Sequence, residues 1–261
     1  MTTPDLAQED ALAHETVTLS TADGPCATAV FTPAAGGGPW PAAVFLMDGG
    51  GPRPALHAMA QRLADLGYFV ALPDLFHRAQ PYEWQTVMAM ALGAQTRTQW
   101  RERFYEPATR PENFRTDFAA VLAHLAERPD VLQPHVGTTG YCMGGNLSLR
   151  AAGEFPERVT AAASFHGGFL ASDAPDSPHR LAPRMKARIY VAGAIEDPSF
   201  TDEMKERLVQ ALTDAKVEHV CETYAARHGF AIPDFPTYDA AAAERHWQAL
   251  AAFYARALRP S

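Results

Sequence analysis

Residues 136–147 read VGTTGYCMGGNL, in which a strand-like run leads through Gly140–Gly144 directly into a helix-like segment. The middle five residues have the form G-x-C-x-G, which is the strand-turn-helix motif G-x-S-x-G with sulfur in place of the serine oxygen. Glycine is needed on both sides because side chains in so tight a turn would collide with the neighbouring strand and helix. The pattern predicts that Cys142 is exposed as a nucleophile at the carboxyl end of a sheet strand.

The surroundings of Cys142 favour a reactive thiol. A helix begins directly after it, so the positive end of the helix dipole favours a thiolate, and Met143 N–H is placed to stabilise an oxyanion. The alternative is an inert buried thiol whose glycines only allow close helix packing. The order strand, motif, helix favours the nucleophile. The other two cysteines, Cys26 and Cys221, lie beside or within strand-like runs and are interpreted as core residues.

Apolar runs of strand length alternate with helix-like segments along the rest of the chain. This alternation is typical of an α/β fold with a mostly parallel sheet and helices on both faces, here as a single domain over residues 1–261. The predicted strands are 27–32, 42–47, 69–72, 136–140, 161–165, 188–192 and 219–224, and the predicted helices are 54–66, 115–128, 144–154, 202–215 and 240–258.

Residues 73–113 form a long excursion between a strand and the next helix. Connections of this length usually carry function, and the helix-like middle, 82–104, is interpreted as a cap over the site. A surface helix without ligand contact is an equal alternative. Residues 36–38 and the proline-rich stretch 175–183 are predicted to be surface loops.

Candidates for the acid and the base follow the nucleophile along the chain. In the hydrolase topology implied by the motif, the order is nucleophile, acid, base, which here reads Cys142, Asp197, His228. Asp197 lies in a turn-forming sequence after strand 188–192, and His228 follows the last strand. We expect His228 to transfer protons and Asp197 to fix its tautomer and stabilise its charged form.

Two other side chains compete with this assignment. Glu196 could serve as the acid, but a carboxylate one residue earlier would point elsewhere. His166 also follows a strand, but the base comes last in this topology, so His166 is interpreted as a wall of the pocket.

The loop Asp48-Gly49-Gly50-Gly51-Pro52-Arg53-Pro54 follows strand 42–47. Hydrolases of this topology supply a second oxyanion N–H from this loop, and Gly49 N–H is the candidate donor. The glycines alone only weakly indicate an oxyanion loop. Their position in the chain relative to the Cys142 turn strengthens this interpretation.

Composition and charge exclude several other classes of function. Thirty acidic against 22 basic residues give a net charge of -8, which would repel phosphate backbones, so no nucleic-acid partner is expected. Residues 1–17 lack the basic start and apolar run of a signal peptide, and no apolar stretch reaches the ~20 residues that span a bilayer, so a cytoplasmic protein is expected. No HExxH or comparable spacing indicates a metal site.

These features together resemble the dienelactone hydrolase family of α/β-hydrolases, and the match covers most of the chain. The matching residues are Asp48, 67–76 with Arg78 after it, 140–145, Asp197 and 228–230. The resemblance implies a Cys-His-Asp triad that acts without a cofactor on a small-molecule ester or lactone.

Two departures from the family limit what the resemblance implies about substrate. Enzymes of the family that act on dienelactone usually have glutamate near the thiol, where this chain has Asp48, and an arginine where it has Ile232. Arg78 matches the family's other carboxylate-binding arginine, so a single-arginine anion site is one hypothesis. Arg53 could supplement it, or could be a surface side chain at a helix start.

Sulfur chemistry narrows the expected substrates. A thiolate leaves more easily than an alkoxide, so the forward reaction favours esters with a stabilised leaving group, such as enol esters, aryl esters or thioesters. A thioesterase or general carboxylesterase on the same triad is therefore an alternative. A binding protein that keeps the hydrolase shape without turnover is another. The sequence leaves the oligomeric state open.

Overall fold

The computed structural model describes residues 14–258, whose strands form one eight-stranded sheet in the order β1-β2-β4-β3-β5-β6-β7-β8. The strands are β1 (Glu15–Thr21), β2 (Gly24–Phe31), β3 (Trp40–Leu46), β4 (Phe69–Pro73), β5 (Val131–Tyr141), β6 (Val159–Phe165), β7 (Arg188–Ala194) and β8 (His219–Tyr224). Strand β2 is antiparallel to both of its neighbours and every other pair is parallel. The predicted α/β fold with a mostly parallel sheet is confirmed.

The central strands are nearly continuous apolar runs because helices cover a parallel sheet on its faces. All five residues of β4 are buried, as are the last five residues of β3. These strands end at the same edge of the sheet. The loops that follow them therefore gather there, in the position where ligands bind in open α/β sheets.

Helices lie between the strands at the predicted places. They are α1 (Pro54–Asp65), α2 (Trp84–Leu92), α3 (Arg97–Trp100), α4 (Glu106–Thr109), α5 (Pro111–Glu127), α6 (Met143–Glu154), α7 (Asp202–Asp214) and α8 (Ala240–Ala257). Side chains cap the N-termini of two helices: Thr201 Oγ1 accepts from Met204 N at 3.3 Å, and Asp239 Oδ1 accepts from Ala242 N at 2.9 Å.

Among residues 14–258, no helix combines the length and apolarity required to cross a membrane.

Three elements differ from the sequence expectations. Strand β1 was not predicted, because its alternating residues are mostly exposed and it lies at the sheet edge. Strand β5 begins at Val131 rather than at residue 136, through a bulge beside Pro134. Residues Pro178–Arg184, expected as a loop, form a 3₁₀ helix. Residues 1–13, which carry most of the argument about a signal peptide, lie outside the described range.

The excursion after β4 is several short helices rather than one. Gly93 ends α2, and Thr96 Oγ1 donates to Met90 O at 3.0 Å across the break. A π-helical turn over Arg101–Tyr105 joins α3 to α4. Trp100 is buried, and its Nε1–H donates to Gly49 O at 2.9 Å. This end of the excursion therefore packs onto the loop that follows β3.

Candidate active site

Cys142 stands in the turn between β5 and α6, with a left-handed backbone at φ 54° and ψ −113°. Such a conformation is strained for a residue with a side chain and is typical of functional turns. A Cβ added to Gly140 would lie 1.9 Å from Gly144 O, and one added to Gly144 would lie 2.1 Å from Leu46 O. Glycine is thus required at both positions, and the turn leaves Cys142 half-buried rather than sealed in the core.

The imidazole of His228 is held by Asp197. His228 Nδ1 lies 2.7 Å from Asp197 Oδ2, and the Asp197 side chain is almost wholly buried. The other carboxylate oxygen accepts from Ser199 N at 2.9 Å and from Ser199 Oγ at 2.6 Å. Burial raises the pKa of Asp197, but the hydrogen bonds and charge of His228, together with Ser199, outweigh it and lower that pKa overall. Asp197 is therefore an anion aimed at the ring.

Cys142 also acts on this ring electrostatically. Since Nδ1 faces Asp197, the other ring nitrogen, Nε2, is the one left for sulfur. Burial lowers the pKa of His228, but the negative charges and hydrogen bonds of Cys142 and Asp197 overcome this and raise it to about 10. The arrangement therefore favours the protonated ring, with Asp197 on one side and Cys142 on the other.

Glu196, the competing carboxylate, points away from this cluster. Its side chain is 76% exposed and lies 4.0 Å from Arg227 at the surface. The backbone at Glu196 is left-handed, with φ 51°, so the turn sends consecutive carboxylates in different directions. Only the second of them, Asp197, reaches His228.

The loop after β3 presents an unused backbone donor. Gly50 N donates to Asp48 Oδ1 at 2.8 Å, and Gly51 N donates to Asp48 O at 3.3 Å. The hydrogen bonds of residues 14–258 leave Gly49 N–H without an acceptor. Met143 is the first residue of α6, where a backbone N–H has no acceptor within the helix. These are the two N–H groups that the sequence nominated as oxyanion donors.

Asp48 and Arg53 form a buried ion-paired network with Asp234, which we call the carboxylate clamp. Arg53 Nη1 and Nη2 donate to the two oxygens of Asp48 at 2.7 and 2.8 Å, and Nε and Nη2 donate to those of Asp234 at 2.7 and 2.9 Å. The side chains of Arg53 and Asp48 are fully buried. Arg53 is neither a surface side chain nor a free cation, because it ties the Gly49 loop to the loop that carries His228.

Arg78 is likewise engaged elsewhere. Its guanidinium donates to both oxygens of Asp117 at 2.7 and 2.9 Å, and Nε donates to Asp23 at 2.8 Å. Asp117 lies on α5 and also contacts His77 Nε2 at 3.2 Å. The structure does not bring Arg78 together with Cys142 and His228.

His166 packs beside the ring of His228. It is fully buried, and its ring centroid is 5.1 Å from that of His228 and 5.0 Å from that of Phe230. Neither ring nitrogen of His166 has a hydrogen-bond partner among the described residues. Burial and the neighbouring His228 charge lower the pKa of His166 well below its ordinary value, so it is a neutral ring.

Sequence reasoning missed several residues around the site. Ser199 was findable, because a serine two residues after an aspartate in a turn commonly bonds that carboxylate. Trp100 and Asp234 gave no local signal, since each reaches the site through a long-range contact.

Among residues 14–258, no group of three or more histidines, cysteines and carboxylates is arranged to hold a metal ion.

The chain is similar to known hydrolases along most of its length. A model of the dienelactone hydrolase family matches residues 26–258. A carboxymethylenebutenolidase of Rhodococcus opacus is 27% identical over 225 residues, which cover 82% of this chain and 81% of that one.

Solved structures share the fold at low sequence identity. A dienelactone hydrolase-like promiscuous phosphotriesterase from metagenomic libraries has a TM-score of 0.71 at 24% identity, covering 95% of this chain and 100% of that one. A dienelactone hydrolase from Anabaena variabilis has a TM-score of 0.62 at 19% identity, covering 95% and 99%. Since the family model spans nearly the whole described chain, the protein belongs to the dienelactone hydrolase family and is a hydrolase of ester or lactone bonds.

Proposed function

We propose that the protein hydrolyses carboxylic esters or lactones through Cys142, His228 and Asp197, with an acyl-thioester intermediate. The observation that carries the proposal is the 2.7 Å contact between Asp197 Oδ2 and His228 Nδ1, on a ring whose pKa is raised by Cys142 in its strained turn. This is the arrangement that activated nucleophiles require: a nucleophile next to a base, and a base oriented by a third group.

In the first half-reaction the sulfur of Cys142 attacks the carbonyl carbon. Negative charge moves to the carbonyl oxygen, which accepts hydrogen bonds from Gly49 N–H and Met143 N–H. As the bond to the leaving oxygen breaks, that oxygen takes the proton from His228 Nε2. The alcohol departs, the acyl group stays on sulfur, and the imidazole is neutral.

The second half-reaction reverses the proton transfer. His228 Nε2 takes a proton from water, whose oxygen attacks the thioester carbon. The carbon–sulfur bond breaks, and sulfur leaves as a thiolate beside the imidazolium. Asp197 keeps Nδ1 protonated throughout, so Nε2 alone exchanges protons in both steps.

The use of sulfur favours substrates with a good leaving group. A thiolate is itself a good leaving group, so the first tetrahedral intermediate partitions backward unless the departing oxygen is stabilised. We expect aryl esters, enol esters and thioesters to react faster than alkyl esters and amides.

The test is to trap the acyl group on Cys142. The enzyme is mixed with 4-nitrophenyl acetate, quenched in acid and analysed by peptide mass spectrometry. The expected result is an acetyl group on Cys142, which is absent in Cys142→Ala and accumulates slowly in His228→Ala. Cys221→Ser is the matched control, because Cys221 lies on β8 and is not part of the site; it should acylate at the wild-type rate.

Two outcomes would contradict the proposal. If iodoacetamide does not label Cys142 near neutral pH and no activated ester is cleaved, the protein binds ligands without turnover. If Cys142→Ser turns over activated esters faster than the wild type, the thiolate is not matched to its substrates.

A further inference from the structure

Ser199 lies in the turn after β7, and each of its polar groups makes a hydrogen bond. Its N–H and its hydroxyl both donate to Asp197 Oδ1, at 2.9 and 2.6 Å, and its carbonyl oxygen accepts from Phe169 N at 2.6 Å. The hydroxyl oxygen also lies 3.4 Å from His228 Nδ1. One side chain thus contacts both the acid and the base of the proposed triad.

The partners of the Ser199 hydroxyl determine where its hydrogen points. A serine hydroxyl has one hydrogen and two lone pairs, and an ionised carboxylate only accepts hydrogen bonds. Asp197 is an anion, so the hydrogen of Ser199 points to its Oδ1. Ser199 Oγ can therefore offer only a lone pair to His228. The hydrogen of that second contact must be carried by His228 Nδ1.

The Nδ1–H group of His228 consequently has two acceptors. Asp197 Oδ2 lies 2.7 Å from this nitrogen, and Ser199 Oγ lies 3.4 Å from it. A hydrogen shared in this way forms a three-centre hydrogen bond, here with one short and one long branch. If the hydrogen moved to Nε2, the lone pair of Nδ1 would face two oxygens that offer no hydrogen. Ser199 could compensate only by giving up its bond to Asp197.

Ser199 also fixes the orientation of the carboxylate. Both of its donors converge on Oδ1 of Asp197, which leaves Oδ2 as the oxygen that faces the ring of His228. The Asp197 side chain is only 1% exposed, so bulk water does not replace a donor that is lost there. The orientation of the acid therefore depends on Ser199.

The backbone of Ser199 is connected to the turn that carries Cys142. Phe169, which donates to Ser199 O, has a left-handed backbone with φ 55°, which is strained for an aromatic residue. The residue before it, Gly168, donates from N to Cys142 O at 3.3 Å. Two consecutive residues after β6 thus join the loop of the acid to the loop of the nucleophile. Strain of this kind persists where the surrounding structure imposes a fixed geometry.

We infer that Ser199 is a positioning residue of the proposed reaction. It turns Oδ2 of Asp197 towards His228, keeps the ring hydrogen on Nδ1 and so leaves Nε2 for the proton transfers. This inference rests on the proposed function and adds a fourth residue to it. Because the hydroxyl is committed to Asp197 and His228, Ser199 should affect the chemical steps rather than substrate binding.

The experiment measures kcat and KM for 4-nitrophenyl acetate in Ser199→Ala, with circular dichroism to check folding. A hydrogen bond to a charged group is worth about tenfold to a hundredfold, so kcat should fall by that factor. Both half-reactions use His228, so KM should stay close to the wild-type value. Ser177→Ala is the matched control, because Ser177 Oγ makes a comparable contact with another histidine, His179 Nδ1, at 2.9 Å. It should keep the wild-type kcat.

Two further measurements separate positioning from a general structural role. If Ser199 acts through Asp197, Ser199→Ala should lower kcat much less in the Asp197→Asn background than in the wild type. The proton resonance of His228 Nδ1–H, observed by NMR, should move in Ser199→Ala because one of its two acceptors is lost. The same resonance should stay in place in Ser177→Ala.

An unchanged kcat in Ser199→Ala would overturn the inference and leave the proposed function intact. Equal losses in the wild-type and Asp197→Asn backgrounds, or an unmoved Nδ1–H resonance, would do the same. If Ser199→Ala does not fold, Ser199→Cys takes its place, because a thiol has a similar shape but donates weakly. The same non-additive loss is expected for it. Absence of an acyl group on Cys142 in the wild type would instead overturn the proposed function.

Discussion

Two ion-paired networks serve the loops around Cys142, and they differ in burial and in what can happen to their protons. In the pair Asp197–His228 the imidazole is 27% exposed and carries a transferable proton. In the carboxylate clamp, Arg53 and Asp48 are fully buried, and the two carboxylates raise the already high pKa of the guanidinium.

Charged groups therefore perform two different tasks around Cys142. A guanidinium held by two carboxylates cannot act as a proton carrier, but its planar fork fixes the position of both partners. An imidazole held on one side leaves its other nitrogen free to exchange a proton. We therefore expect changes in the first pair to alter chemistry and changes in the clamp to alter stability.

The largest expected effect is on activity, in Asp197→Asn. Without the carboxylate the ring loses the group that holds its tautomer and charge, so kcat/KM for aryl esters should fall by about 10³ to 10⁴ while the protein stays folded. Glu196→Gln is the matched control, because it removes the neighbouring carboxylate from the surface. Similar losses in the two variants would show that Asp197 has no special relation to His228.

The clamp should give the largest effect on stability, in Arg53→Met. The substitution leaves the carboxylate of Asp48 buried without its cation, so the free energy of unfolding should fall by about 3 to 5 kcal/mol in urea titrations. Arg62→Met breaks an exposed ion pair with Glu244 and should cost less than about 1 kcal/mol. Equal costs would mean that burial of the clamp has no energetic role.

The networks should also differ in their response to pH. The pKa of His228 is about 10 in the folded protein, against roughly 6.5 in an unfolded chain. The stability that this charge contributes is therefore fully present below about pH 6.5 and is lost as the pH rises towards 10. Across that window, the free energy of unfolding should fall by at least about 1.4 kcal/mol more in the wild type than in His228→Gln. This difference corresponds to a shift of one pKa unit.

Cys142→Ala sharpens the test of pH dependence. The sulfur anion is one of the causes of the raised pKa of His228, so its removal should shrink the pH-dependent loss of stability. Arg62→Met should keep the wild-type pH dependence, because its guanidinium does not titrate in this range and its partner Glu244 is exposed. A wild-type loss that is identical in Cys142→Ala would show that Cys142 does not contribute to the raised pKa of His228.

The smallest effect is expected for Trp100→Phe, which removes the hydrogen bond to Gly49 O. One hydrogen bond contributes about 1 kcal/mol, so kcat for aryl esters should fall about threefold to tenfold, with little change in KM. Trp84→Phe, on α2 of the same excursion, is the control and should keep wild-type kinetics. An unchanged kcat in Trp100→Phe would mean that the clamp alone orients the Gly49 peptide.

Local patterns predicted the parts of the fold that depend on neighbouring residues. The apolar strands, the glycines around Cys142 and the helix after it all follow from short-range geometry. Strand β1 was missed because its half-exposed pattern resembles a surface segment, and the start of β5 was missed because Pro134 argues against a central strand.

Long-range contacts account for the rest of what the sequence could not predict. Chain order was enough to nominate Asp197 and His228, whose side chains do meet. It could not indicate that Arg53 and Arg78 are each bound by two carboxylates, because Asp234 and Asp117 are 181 and 39 residues away in sequence. Whether an arginine is available to a ligand depends on partners that only the folded chain brings together.

The span of the carboxylate clamp has a consequence for biosynthesis. Arg53 is made early and Asp234 late, so a nascent chain holds the Gly49 loop with only one of the two anchors of its guanidinium until nearly the whole polypeptide has emerged. His228 arrives in the same late segment. The position of the Gly49 loop and of the proposed base thus both depend on this late segment, and a chain cut short before residue 234 would lack the second anchor of that loop.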